Sequence, residues 1–321
     1  MKKFFQNYGY KLATGSLFTG VGLSFLPEKL SPEIYQLIDG FYVAAEGDLQ
    51  EKIPLPVPQH LQQLVGEEVQ KCQSGIAHGD FAGKWTPYFT RSIFSPCGRG
   101  SIKTGAVIGL PFNYKFHLDA EDVPVEGGTP PTSARSLERL MTAFGFQFQS
   151  YAVADALTKT LLLSDDAKRY AVARALHELT YDSFQWKSAA LCCGAASGAF
   201  LWQMASWSMD LKKSRAVSRG VGFISVGVAL MNFVILRGLV INHAEKQADR
   251  KCVSMGQNYV KGGFEFYEKS VARNKMLHAM DVEDFNAYGN ETTLYTMKMR
   301  TVNRYDHFKD CCREMTETGV L

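Results

Sequence analysis

The side chains best suited to chemistry fall in one short run, His177-Glu178-Leu179-Thr180-Tyr181. In a helical HExxH the two histidines stand one turn apart and hold one zinc ion, and the glutamate beside the first acts as general base on the metal-bound water. Here His177 takes the place of the first ligand and Glu178 that of the base. Tyr181 stands where the second histidine belongs. A neutral phenol holds its proton to about pH 10 and is a poor zinc ligand. On these residues alone an ordinary helical histidine outweighs a metal centre.

Composition narrows the classes. The net charge of +3 and the lack of a basic stripe with interleaved aromatics exclude a nucleic-acid binder. The seven cysteines include the neighbours Cys192-Cys193 and Cys311-Cys312 but no CxxC, so neither a disulfide framework nor a structural zinc site is expected. Free thiols are, two of them inside a membrane span.

The elements that must position the run are as follows. Residues 1–30 start with Lys2, Lys3 and Lys11 and carry no acid before Glu28; the apolar stretch from Leu12 to Leu26 reads as a targeting segment retained as an anchor. Pro32, Gly40 and Gly47 punctuate the chain after Pro27, and the run Pro54-Leu55-Pro56-Val57-Pro58 predicts an extended linker. Leu61, Leu64, Val65 and Val69 predict a short amphipathic helix. Gly105 to Pro111 reads as an apolar strand, and period-two alternation from Phe112 to Asp119 predicts a second, half-buried one. A helix is expected from Ser133 to about Ala156. Another starts at Ser164-Asp165-Asp166, a cap followed by acids that meet the helix dipole. The segment beyond Asn274 is polar, with a late strand expected near Tyr295 to Arg300.

Two uncharged runs follow the HELTY helix. Ser188 to Met209 has 22 residues, Gly220 to Leu236 has 17, and a basic loop joins them. A span needs about 20 apolar residues, so the pair predicts a helical hairpin in the bilayer. The expected fold class is a mainly α membrane protein, a transmembrane hairpin with an α+β soluble part. The expected division is 1–30 anchor, 31–187 soluble part, 188–242 hairpin and 243–321 soluble helical region and tail.

The order of parts resembles the HtpX-like and CAAX-protease-like membrane zinc peptidases: a strand ending in proline, an Ala175-Leu176-His177-Glu178-Leu179 helix, a hairpin, then Glu245-Lys246-Gln247-Ala248-Asp249. The resemblance implies His177 and Glu245 as zinc ligands, Glu178 as base and Asp249 as structural acid. His243 lies about 200° round a helix from Glu245 and points away. With Tyr181 in the place of a ligand, the soluble part reads as a degenerate zinc-peptidase domain with no catalytic residues and no cofactor. A zinc peptidase using His177, Glu178 and Glu245 is the alternative.

Two further stretches resemble the transmembrane protein 177 family: Gly105 to Pro111, and Gly262-Gly263-Phe264-Glu265-Phe266-Tyr267-Glu268-Lys269. That resemblance implies a multi-pass protein of the mitochondrial inner membrane. It implies binding to protein partners of cytochrome c oxidase subunit 2 biogenesis, without a small-molecule substrate. Gly262, Gly263, Phe264, Glu265, Phe266 and Tyr267 are the candidate partner-binding residues, and the strand from Gly105 to Leu118 is the candidate docking edge.

Overall fold

The computed structural model describes residues 42–45, 48–54, 56–74, 85–90, 95–101, 105–115, 151–180, 183–209, 214–292 and 299–317. The expected anchor at 12–26, most of the expected helix at 133–156, and residues 295–298 of the late strand lie outside them. The described chain is mostly helical with a small sheet. It divides into two compact units, a larger one of Ser31–Thr180, Lys246–Thr293 and Met299–Leu321, and a smaller one of Met1–Leu30, Tyr181–Glu245 and Leu294–Lys298.

The larger unit contains an antiparallel pair, β1 (Tyr42–Ala45) and β2 (Asp48–Pro54), which ends at the first proline of the expected linker. Helix α1 (Gln59–Ser74) follows and buries Leu61, Leu64, Val65 and Val69, the face its periodicity marks. A three-stranded sheet comes next, built of β3 (Trp85–Thr90), β4 (Cys97–Ser101) and β5 (Gly105–Pro111) in the order β3-β5-β4. Strand β5 runs parallel to β3 and antiparallel to β4. Its Val107, Ile108 and Leu110 are fully buried, as a continuous apolar run requires.

Two expectations fail here. β5 is the central strand, and both its edges are already hydrogen-bonded, so Gly105 to Pro111 offers no docking edge. The alternating run after Pro111 is not a strand at its start but a 3-10 turn, Phe112–Lys115. Asn113 is buried there and donates its side-chain amide to the Leu161 carbonyl at 2.7 Å, at the end of α2 (Tyr151–Leu161). Satisfying that last-turn carbonyl outweighs the period-two pattern.

Helix α3 (Asp165–Thr180) starts where its cap predicts. Ser164 Oγ accepts from the Ala167 amide at 3.2 Å, and Asp165 and Asp166 occupy the first turn. Ala167, Tyr170, Ala171, Val172 and Leu176 are buried, which makes α3 the centre of this unit. It packs against α6 (Gln257–Ala279), and α6 packs against α7 (Thr301–Glu317). Where a polar tail was expected, α7 is a regular helix. Only its Arg304 and Phe308, one turn apart, are buried, too narrow a stripe for periodicity to reveal. Asn290 carries its N-terminus, accepting from the Val302 amide at 3.1 Å.

In the smaller unit, α4 (Ser183–Ser208) lies against α5 (Arg215–Ser254), whose residues up to Glu245 belong here. Close approach depends on small residues. A Cβ built on Gly194 would lie 2.8 Å from the Ala229 carbonyl oxygen, and one on Gly198 2.7 Å from that of Ser225. Asn232 donates to Ser197 Oγ at 2.9 Å, a polar tie between two apolar helices. Among the described residues one helix is long and apolar enough to cross a membrane, Ala216–Ser254 with a mean hydropathy of 2.1. Its most apolar window is only 17% buried, unlike the core helix of a soluble protein.

Candidate functional site

The peptidase-like motif is dismantled at the level of side chains. Glu178 is ion-paired with Arg174 one turn earlier, an i, i+4 contact, so its carboxylate faces a guanidinium instead of a metal-bound water. His177 is buried, with Nε2 3.6 Å from Cys72 Sγ and 3.3 Å from Met255 Sδ. Burial, helped by the Lys251 charge, pushes its pKa down to about 4, so the imidazole is neutral at physiological pH. Glu245 is buried on α5, and His243 on the same helix is exposed. Among the described residues no three of His, Cys, Asp and Glu converge as a metal site, so the alternative zinc centre of His177, Glu178 and Glu245 finds no support.

Asp249, the expected structural acid, is the hub of the larger unit. Arg304 on α7 grips it with two bonds, Nε to Oδ2 at 2.8 Å and a terminal nitrogen to Oδ1 at 2.6 Å. Arg174 on α3 approaches at 3.4 Å. Tyr170 donates to it at 2.9 Å, and Tyr267 on α6 lies 3.4 Å away. Arg174 also pairs with the partly exposed Glu178, so two carboxylates face two guanidiniums. Four helices meet at one carboxylate. Sequence reasoning located Asp249 but missed Arg304 and Tyr170, since their pairing spans distant segments and leaves no local pattern.

The run from Gly262 to Tyr267 is committed largely to internal packing. A Cβ on Gly262 would lie 2.6 Å from the Asp166 carbonyl carbon, and one on Gly263 2.6 Å from the Phe308 ring. Phe266 and Tyr267 are buried among Tyr170 and Phe308, with ring centroids 5.0–5.9 Å apart. Phe264 stacks on Tyr305 at 5.5 Å and stays partly accessible. Glu265 reaches the start of α3, where it accepts from the Ser164 amide at 3.0 Å and from the Ser164 hydroxyl. Lys269 closes this knot, donating to Glu265 at 2.7 Å and to the Leu162 carbonyl at 2.6 Å. Burial alone would raise the Glu265 pKa, but the hydrogen bonds from Lys269 and Ser164 outweigh it and hold the carboxyl below its usual range. The unusual composition of this run therefore has a packing cause: two glycines admit a backbone and a ring, and one glutamate caps a neighbouring helix.

A second polar knot joins α1 to α3 and α6. Glu68, fully buried, accepts from Tyr259 at 2.6 Å and from Lys71 and Arg169 at 3.0 Å each. Arg169 also holds Glu67 at 2.6 Å, on the wall of a polar cleft that Asp166 and Asn258 complete.

Among the described residues, the exposed large apolar side chains other than Tyr288 lie in the smaller unit. Phe200, Met204 and Trp207 on α4 and Phe223, Ile224 and Met231 on α5 are exposed, Phe223 by 79%. Cys192 and Cys193 lie on α4 as free, exposed thiols, as expected.

No solved structure matches the chain. It is similar to proteins named Transmembrane protein 177 from Danio rerio (27% identical over 231 residues, 71% of this chain and 69% of the relative), from Xenopus laevis (26% over 234 residues, 71% and 69%) and from Homo sapiens (25% over 240 residues, 71% and 68%). The family described as Transmembrane protein 177 matches residues 30–319, and the chain belongs to that family.

Proposed function

We propose that this protein is a non-catalytic assembly factor of the mitochondrial inner membrane. It binds and stabilises the chaperone complex around newly made cytochrome c oxidase subunit 2. The observation that carries the reading is the exposed apolar face of α4 and α5. Six large side chains with little protein cover suit either lipid or the transmembrane helix of a partner. Helix α4 then serves as the second span, so that the protein is multi-pass: its 26 residues hold no acidic side chain and Lys187 is the one base. The role in oxidase biogenesis comes from the family resemblance. The lack of catalysis is supported by Glu178, held by Arg174, and by Tyr181 in a ligand's place.

The test is complementation. In mitochondria lacking the chain, pulse-labelled subunit 2 should decay faster, and both the parent chain and Glu178→Gln should restore its half-life. Glutamine keeps a hydrogen bond to Arg174 but cannot act as a base. A folded, inserted Glu178→Gln protein that fails to restore subunit 2 would refute the non-catalytic reading. An unchanged subunit 2 half-life without the chain would refute the assembly role.

A further inference from the structure

His177 has not become a zinc ligand, yet it stands among ligands of a different kind. Cys72 comes from the last turn of α1, His177 from the last turn of α3, and Met255 from the turn after α5. All three belong to the larger unit. Cys72 is fully buried and Met255 is half-buried at the rim, so the set has an inner wall and a way in. The two sulfurs lie 3.6 and 3.3 Å from the same Nε2. A metal bound at about 2.0 Å to an imidazole and about 2.3 Å to a sulfur holds the two ligand atoms about 3.7 Å apart at the 120° angle of a three-coordinate site. Cys72 lies close to that separation, and Met255 falls short of it by an amount its flexible side chain can adjust. A single Nε2 proton or lone pair serves one sulfur well but not two, whereas one cation serves all three groups.

From this geometry we infer that Cys72, His177 and Met255 form a three-coordinate site for a soft monovalent cation, copper(I). A thioether and a thiolate are soft ligands and select copper(I) over harder cations. Charge gives a second reason. One thiolate, one neutral imidazole and one thioether neutralise a single positive charge and leave nothing to solvate in an apolar core; a divalent ion would leave one charge over. Binding replaces the Cys72 S–H bond by a copper–sulfur bond and releases one proton, with no change in oxidation state. The charged groups that act on Cys72 are Glu68, Lys251 and Lys71, and Lys251 also acts on His177. Glu68 is already held by Lys71, Arg169 and Tyr259. The site is separate from the proposed membrane-embedded binding face and does not depend on it.

The experiment is an anaerobic copper(I) titration of the full chain in detergent, against a colorimetric copper(I) chelator. The exposed pair Cys192-Cys193 and the pair Cys311-Cys312 are first changed to serine, which removes the adjacent thiols able to hold copper by themselves. This variant should retain about one copper(I) per chain, and X-ray absorption should show one nitrogen and two sulfur ligands. Losing a group that merely supports a ligand costs about 10- to 100-fold in metal affinity. In the same background Cys72→Ser should therefore weaken binding about 100-fold or more, and Met255→Leu about tenfold. Met255→Leu nearly conserves volume at a half-buried position, so it tests the site with the fold intact. No copper(I) retained after the four serine changes, or unchanged affinity in either ligand variant, would overturn the assignment.

Discussion

At the scale of the residue, three positions carry sharp consequences. His177 is buried and neutral, its pKa lowered from 6.5 to about 4. Between those values the unfolded chain binds a proton that the folded chain refuses, so stability falls as pH drops through that window. The contribution is complete above 6.5 and lost below about 4, a difference on the order of 3 kcal/mol. Denaturation midpoints measured from pH 7 to pH 4 should fall more steeply for the parent than for His177→Gln; parallel profiles would mean that the imidazole titrates freely. Asp249 faces Arg304 and Arg174 in the core. Removing one partner of a buried pair leaves the other charge uncompensated, so Asp249→Asn should cost about 3–5 kcal/mol. A loss below about 1 kcal/mol in urea unfolding would mean that the hub is solvated. Gly262 faces backbone and not a flexible side-chain tip. Gly262→Ala should cost about 3 kcal/mol as α6 is forced away from α3, and a neutral result would show that the two helices are not in contact.

At the scale of the element, helix starts and amphipathic faces were legible. Ser164 with its two acids fixed the start of α3, and Leu61, Leu64, Val65 and Val69 fixed the buried face of α1. The apolar run 105–111 was legible as a strand, but its place in the centre of the sheet depends on β3 and β4, which no local pattern orders. Helix α7 was missed because its attachment is a buried arginine and one phenylalanine instead of an apolar stripe. The 3-10 turn at Phe112–Lys115 was missed because Asn113 answers a carbonyl 48 residues away. The alternative zinc reading finds no support because spacing along one helix does not say which sulfur another element presents to His177, although the Arg174–Glu178 spacing of four was visible on the same helix. The hairpin contact offers a test at this scale. Gly198 faces the Ser225 carbonyl and the Ala229 side chain. Gly198→Leu should part α4 from α5 and speed hydrogen exchange across residues 190–200, with Gly227→Leu, which faces open space, as the control. Equal exchange in both variants would remove the close contact from the account.

At the scale of the whole molecule, the two units divide the work. The larger unit is tied by buried charges, caps and aromatic packing, and the candidate partner residues Gly262 to Tyr267 are largely enclosed there, with Phe264 and Glu265 the accessible ones. The smaller unit leaves its large apolar side chains uncovered. Helix α5 has 40 residues, about 60 Å, roughly twice the hydrocarbon thickness of a bilayer, so it is long enough to span one with residues to spare. The most direct measurement places a photoreactive amino acid at Phe223, the most exposed large apolar residue on α5, and crosslinks in intact mitochondria during synthesis of subunit 2. The account predicts adducts to newly made subunit 2 or its chaperones, lost when Gly198→Leu separates the hairpin. Adducts to lipid alone, in a protein that still sustains subunit 2, would contradict it.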